Sequence, residues 1–375
     1  MNFVTIFPET ENVHLVKDVG MIPYIMYKYF GYNSKIVCYK NNQNYEYLEN
    51  EVKGLKIEFL EKKTGYAIKD GIMYLLKNSR KIDVLHLFHL SKRSLYWILV
   101  YKLLNPKGKV YLKLDADKNI KAFDYYKKSL KGYIKRKVLS SCLSSCNLIS
   151  VETKHLYNYL RENWNLDVEY IPNGFYDNGK RQEVNYCEKE NIILTVGRIG
   201  TYEKATEILL KGFKQASEKI PDWTLKIIGP IEKSFYEYID NFFKENPQLK
   251  NKISFTGSIS DREKLDAEYR KAKIFCLTSR WESFGLVLTE AIKNGCFLIT
   301  SSVESALDLT KNGELGKIFD VDDYEQLGAI LEQICNNQDL IEWSIKDIQD
   351  FAYENFYWPN ICKKINDKLD MSIIR

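Results

Sequence analysis

A series of alternating strand-like and helix-like segments, interrupted once and then begun again, sets the limits on how this chain can fold. In the first half, apolar runs at Asn2–Phe7, Ser34–Tyr39, Val84–Leu90, Lys109–Leu114 and Asn147–Val151 alternate with helix-like stretches near Gly20–Phe30 and Ser94–Leu104. Strands at this spacing, with helices between them, imply right-handed βαβ units and a parallel sheet. Turn residues in Glu169-Tyr-Ile-Pro-Asn-Gly-Phe175 close the series, and the polar stretch Tyr176–Glu190 reads as a linker. The alternation restarts at Asn191–Val196 and runs through Leu225–Ile228, Ile253–Phe255, Ile274–Thr278, Phe297–Thr300 and Lys317–Phe319. The expected fold is α/β, with two Rossmann-like doubly wound parallel-sheet domains at 1–180 and 187–356. A final amphipathic helix is expected over about 357–375, and 375 residues suffice for two such cores.

Composition removes several other classes. Hydrophobic residues make up 45% and charged residues 28%, as in globular chains. No apolar run is long enough to span a bilayer, and the N-terminal Met1–Phe7 reads as a strand rather than a signal peptide, so a cytoplasmic protein is expected. Several of the eight cysteines lie in apolar runs, and Cys142 and Cys146 lack a second pair at zinc-site spacing. His86 and His89 read as core or strand-edge histidines.

Charge is divided unevenly. Residues 1–180 carry 29 Lys and Arg against 18 Asp and Glu, whereas the remainder carries 26 against 32. A basic half can meet an anionic surface or a phosphorylated substrate. The densest segment, Tyr125–Leu139, interleaves lysines with aromatic and apolar residues, which fits an interfacial amphipathic helix and equally a solvated basic face. No nucleic-acid-binding module is recognisable, so nucleic acid is not an expected partner.

Open α/β sheets bind ligands at the carboxyl ends of their strands. After Asn191–Val196 comes Gly197-Arg-Ile-Gly-Thr-Tyr-Glu-Lys204, where glycine permits close backbone approach and Arg198 and Lys204 place two cations in one loop. Such a pair suits a diphosphate and also fits a surface salt-bridge pair. Neither a dinucleotide fingerprint nor a P-loop occurs. Further on, the apolar run Ile274–Thr278 leads through a turn holding Glu282 and Gly285 into a helix carrying Glu290. A helix N-terminus after a tight turn attracts anions, and the two carboxylates can address different parts of one ligand. Taken alone, the segment also fits an ordinary strand-to-helix connection with two solvated glutamates.

Together, Gly197-Arg198, Glu203-Lys204, Glu282 and Glu290 around Ser283-Phe284-Gly285-Leu286, Ile171-Pro-Asn-Gly174 and Trp358 in the tail resemble the retaining nucleotide-sugar glycosyltransferases of family 4. The resemblance covers essentially the whole chain and implies the GT-B architecture, two Rossmann-like domains facing across a cleft, the first binding the acceptor and the second the donor. It implies that Arg198 and Lys204 hold the donor diphosphate, that the backbone of Ser283, Phe284, Gly285 and Leu286 adds N–H contacts, and that Gly197 lets the phosphates approach. Glu290 would hold the ribose and Glu282 the transferred sugar. In the first domain, Asp115 takes the place of a catalytic-site residue, with Asp117 as its substitute, and Gly20 stands in the loop near the donor phosphates. The implied donor is a UDP-sugar and the implied acceptor a glycan, lipid-linked at the inner membrane face, with Tyr125–Leu139 on the membrane. No cofactor is implied, and with two cations in place a metal at Asp115-Ala-Asp117 is unnecessary. A non-catalytic partner subunit of a true transferase is the alternative. Two departures stand out: a single Gly20 where paired glycines are common, and Ala205 where glycine is usual.

Overall fold

The computed structural model describes residues 1–115, 137 and 139–371. It divides into two compact units, Met1–Tyr176 with Trp358–Arg375, and Asp177–Tyr357. The basic segment Tyr125–Leu139 lies outside the described residues apart from Lys137 and Leu139, and so does Asp117.

The first unit is built on β1 (Asn2–Ile6), β2 (Asn33–Cys38), β3 (Lys56–Phe59), β4 (Val84–Phe88), β5 (Lys109–Lys113), β6 (Leu148–Val151) and β7 (Glu169–Tyr170). All pair in parallel in the order β3-β2-β1-β4-β5-β6-β7. Strands buried on both faces need apolar residues at every position. That explains why β4, Val84-Leu-His-Leu-Phe88, is buried throughout, with His86 inside the core. His86 stacks on Tyr111, 4.5 Å between ring centroids, and its Nδ1 meets the Thr5 hydroxyl at 3.0 Å. Burial, aided by the Lys113 charge, holds this imidazole well below its usual pKa, so it is a neutral core side chain.

β3 and β7 were not foreseen as strands. β3 is an edge strand whose Lys-Ile-Glu-Phe pattern leaves side chains half-exposed, the charged edge that discourages further pairing. β7 is only two residues long and sits at the other edge.

Apolar clusters cover both faces of this sheet. One of them includes Trp358, Ile361, Cys362, Ile365 and Leu369 from the tail helix Trp358–Met371, which packs beside the helix Asp18–Phe30. Trp358 N–H donates to the Phe175 carbonyl at 3.0 Å, and Tyr32 Oη donates to Asn366 Oδ1 at 3.0 Å.

The second unit holds β8 (Glu190–Val196), β9 (Thr224–Ile228), β10 (Ile253–Gly257), β11 (Ala272–Leu277), β12 (Phe297–Ser301) and β13 (Gly316–Phe319), again all parallel, in the order β10-β9-β8-β11-β12-β13. Within it the polar stretch 177–189 is tied down rather than free. Arg181 pairs with Asp350 at 2.5 Å, and the buried Lys189 ammonium donates to the carbonyls of Arg270, Ala272 and Asn294 at 2.8–3.1 Å.

In each sheet the strand order reverses once, between β1 and β4 and between β8 and β11. Loops leaving the two strands at such a point diverge to opposite faces and open a crevice at the carboxyl ends.

Candidate functional site

In the second unit, the two loops that leave β8 and β11 are those that carry the motifs. Gly197 N–H donates to the Ile228 carbonyl at 3.0 Å, which locks the start of the first loop to β9. A Cβ on Gly229, where φ is 141°, would fall 1.7 Å from the Gly197 carbonyl oxygen, so this glycine is required by the approach of the two backbone segments. Sequence reasoning passed over Gly229; the signal was a glycine directly after the apolar strand Thr224–Ile228. Gly197 differs, because a Cβ there would meet only the Lys204 side chain, at 3.8 Å.

Lys204 and Glu282, one from each loop, form an ion pair, and Ser279 Oγ donates to the same Glu282 oxygen at 2.8 Å. Arg198 pairs with Glu203 and keeps 60% of its side chain exposed, against 18% for Lys204. The loops are stitched elsewhere too. Thr278 Oγ1 donates to the Lys204 and Ala205 carbonyls at 2.9 and 3.1 Å, and Arg280 N–H donates to the Glu203 carbonyl at 2.7 Å. The Arg280 guanidinium lies between Glu207 and Asp322 at 2.7 and 2.8 Å.

Ala205 adopts φ 46°, ψ 46° while wholly buried, and the helix Thr206–Ala216 begins immediately after it. This left-handed conformation suits glycine, which gives the usual glycine at this place a steric reason.

Gly285 caps the helix Leu286–Lys293 at φ 78°, again left-handed. Phe284 is buried, its carbonyl accepting from Ser305 Oγ at 2.6 Å. That anchor holds the turn at the helix N-terminus, where Leu288 N–H donates back to the Gly285 carbonyl at 2.9 Å and the N–H groups of Leu286 and Val287 have no place in the helical ladder. Ser283 stands between Glu282 and this anchor. Farther along the helix, Glu290 accepts from Tyr269 Oη at 3.0 Å and from Arg262 at 3.4 Å. Burial, with the Glu290 charge beside it, pushes the Tyr269 hydroxyl well above its usual pKa, so it remains a donor.

The first unit assembles a second group of charges at the carboxyl ends of β4, β5 and β6. His89 and Asp115 both stand in the left-handed region, at φ 60° and 38°, strain of the kind that persists where surrounding structure over-determines the backbone. His89 Nδ1 lies 3.6 Å from the Asp115 carboxylate. Beneath them Lys113, fully buried, pairs with Glu152 at 2.8 Å and with Asp18 at 3.1 Å, and Asn173 Nδ2 donates to Glu152 at 2.8 Å. Burial alone would raise the Asp115 carboxyl, but the Lys113 ammonium, a hydrogen bond from Glu152, and His89 and Lys17 outweigh it and hold Asp115 below the usual carboxylate value. For Lys113 burial acts downward, and Glu152, Asp18 and Asp115 reverse it, so the ammonium stays charged.

Gly20 lies not in a loop but in the first turn of the helix Asp18–Phe30, where a Cβ would come within 2.1 Å of the Leu15 carbonyl oxygen. Backbone packing accounts for that glycine. Of the expected residues, then, Arg198, Lys204, Glu282, Ser283, Phe284, Gly285 and Leu286 share the two loops of the second unit. Glu290 stands further along their helix, and Asp115 belongs to the first unit's cluster. Lys113, Glu152 and Asp18 went unremarked in the sequence; the signal was a lysine at the end of a strand buried on both faces.

The two doubly wound units define a GT-B-type fold. The Anabaena protein HepE in complex with UDP matches with a TM-score of 0.74 at 13% identity, over 99% of this chain and 100% of that one. Residues 178–349 match the model of the glycosyl transferases group 1. Among curated relatives, mannosylfructose-phosphate synthase of Agrobacterium fabrum is 27% identical over 238 residues, 59% of this chain and 52% of that protein. The chain thus spans about half the length of that relative. The amylovoran biosynthesis glycosyltransferase of Erwinia amylovora is 25% identical over 304 residues, 78% of this chain and 79% of its own. Among the described residues, no helix is long and apolar enough to cross a membrane.

Proposed function

We propose that this protein moves a sugar from a nucleotide diphosphate sugar, a UDP-sugar by preference, to a hydroxyl of a glycan acceptor with retention of anomeric configuration. The observation that carries this reading is the pair of loops from β8 and β11, at the strand-order reversal, which bring Lys204, Glu282 and the Leu286–Lys293 helix N-terminus together. Lys204 has three N–H donors and can hold Glu282 and a phosphate oxygen at once. The more exposed Arg198 can turn from Glu203 to grip the diphosphate bidentately. Both cations then meet charge that develops as the nucleotide leaves, where fixed charge contributes most to rate.

In the reaction, the bond from the anomeric carbon to the β-phosphate oxygen breaks and the acceptor oxygen bonds to the same carbon from the same face. The acceptor proton passes to the departing phosphate oxygen. Glu282, fixed by Lys204 and Ser279, accepts from hydroxyls of the transferred sugar, and Glu290, fixed by Tyr269, from those of the ribose. In the first unit, the partly exposed Asp115 carboxylate is the one that meets substrate. The basic excess of the first half supports an anionic, lipid-linked acceptor presented at a membrane surface.

A thermal-shift panel of nucleotide sugars tests donor binding, because a ligand that binds only the folded state raises the melting temperature. A UDP-sugar should stabilise the chain, and less so after Arg198→Ala or Lys204→Ala. Absence of any shift across the panel would contradict the reading. Donor binding without turnover, rescued by adding a second transferase, would favour the partner-subunit alternative.

A further inference from the structure

Beside Lys204 and Glu282, the same two loops set a pair of aromatic rings at the surface. Tyr202 stands in the β8 loop between Arg198 and Lys204, and Trp281 in the β11 turn directly before Glu282. Tyr202 is 71% exposed and Trp281 48%, with 5.7 Å between ring centroids and 52° between ring planes. Single exposed rings need no explanation, whereas contiguous apolar surface marks a place that meets a ligand. These rings are also held in place. The Arg280 guanidinium lies over the Tyr202 ring, 4.2 Å from its centroid, and donates to the Tyr202 carbonyl at 2.5 Å. Glu207 and Asp322 fix that guanidinium at 2.7 and 2.8 Å, and Arg280 N–H ties the turn to the Glu203 carbonyl at 2.7 Å. A surface already ordered before a ligand arrives has less entropy to lose on binding. The two carboxylates offset the Arg280 charge, so this surface suits a neutral group rather than a phosphate.

Depth separates the rings from the donor contacts. The Lys204 and Glu282 side chains are 18% and 13% exposed, so a sugar gripped by Glu282 sits low, and a ring packed on Tyr202 and Trp281 lies further out at the rim. A nucleobase belongs with the ribose, at Glu290, which is more than a turn into the helix Leu286–Lys293. We propose that Tyr202 and Trp281 form a saccharide subsite that packs against the C–H face of a pyranose ring of the acceptor glycan. This rests on the reading that these loops hold the sugar donor. The C–H face of a pyranose is apolar and faintly positive, which matches the negative face of an aromatic ring. Tyr202 Oη and Trp281 Nε1–H add polar handles for its hydroxyls.

Saturation-transfer difference NMR of the full-length chain with α- and β-linked trisaccharides of glucose, galactose, mannose and N-acetylglucosamine reads this contact without turnover. At least one trisaccharide should receive saturation on the C–H protons of one ring face. Trp281→Ala and Tyr202→Ala should lose that signal, and Trp281→Phe and Tyr202→Phe, which keep a ring, should retain most of it. In turnover, each alanine variant should raise the acceptor KM about 2- to 12-fold, the scale of one aromatic contact, with a smaller change in donor KM. No saturation of any trisaccharide by the wild-type chain, or equal signals in folded alanine variants, overturns the subsite. A rise confined to donor KM would assign the rings to the transferred sugar. Loss of flotation with anionic vesicles, with saccharide signals intact, would assign them to a membrane surface; either result overturns the acceptor role. The NMR contact needs no donor, so a chain that no nucleotide sugar stabilises loses the functional reading while the saccharide contact is decided on its own.

Discussion

The two groups of charge at the strand ends, one in each unit, are built on opposite principles. In the second unit Arg198 pairs with Glu203 and Lys204 with Glu282, Lys204 also lying 3.8 Å from Glu203, at partly exposed positions on loops. Such pairs contribute little to stability and can exchange partners when a ligand arrives. In the first unit Lys113 is sealed among carboxylates with no exposure at all. Its attractions must outweigh a large desolvation cost, so removing one partner leaves an uncompensated charge indoors. The difference teaches that one cluster is arranged for exchange with ligands and the other to hold its own geometry.

The sharpest way to break that comparison is Lys113→Met. Glu152 and Asp18 would lose their shared cation, and stability should drop by about 3–5 kcal/mol, read as a lower urea midpoint. In the second unit, Lys204→Ala should leave stability within about 1 kcal/mol of wild type, read as a small shift in urea midpoint. Its effect belongs to turnover, which should fall about 10²–10³-fold. Equal destabilisation by the two variants would erase the distinction.

A pH series sharpens it further. A carboxyl whose folded-state pKa lies above its unfolded value holds a proton that the unfolded chain releases, so stability falls as pH rises between the two. For Glu152 that window runs from about 4.5 to about 8. Wild-type stability relative to Glu152→Gln should decline across it by on the order of a few kcal/mol and level off above. A flat difference would place the proton elsewhere. Smallest is Ala205→Gly, which relieves a left-handed alanine and should stabilise the chain by up to about 1 kcal/mol, less the entropy that glycine adds to the unfolded state.

These contrasts also explain what was legible in the sequence. Strands β4, β11 and β12 stood out because burial on both faces demands unbroken apolar runs such as Ile274–Leu277. The edge strand β3 and the two-residue β7 carry no such signature. Arg198 and Lys204 lie in one loop, and Glu282 and Glu290 flank one turn and helix, so local spacing was enough to find them. Asp18, His89, Lys113, Glu152 and Asn173 lie scattered over more than 150 residues, and only the parallel order of β1, β4, β5 and β6 gathers them. Ala205 shows the same limit at the scale of one residue: its departure from glycine was visible, but the strain it carries follows only from φ.

The most direct test of the functional claim is a time course, by proton NMR, of the purified chain with UDP-sugars and glycan acceptors. The account predicts consumption of one donor, a product whose anomeric proton keeps the donor's configuration, and loss of that signal in folded Lys204→Ala. An inverted product, or donor consumption unchanged in Lys204→Ala, would contradict it.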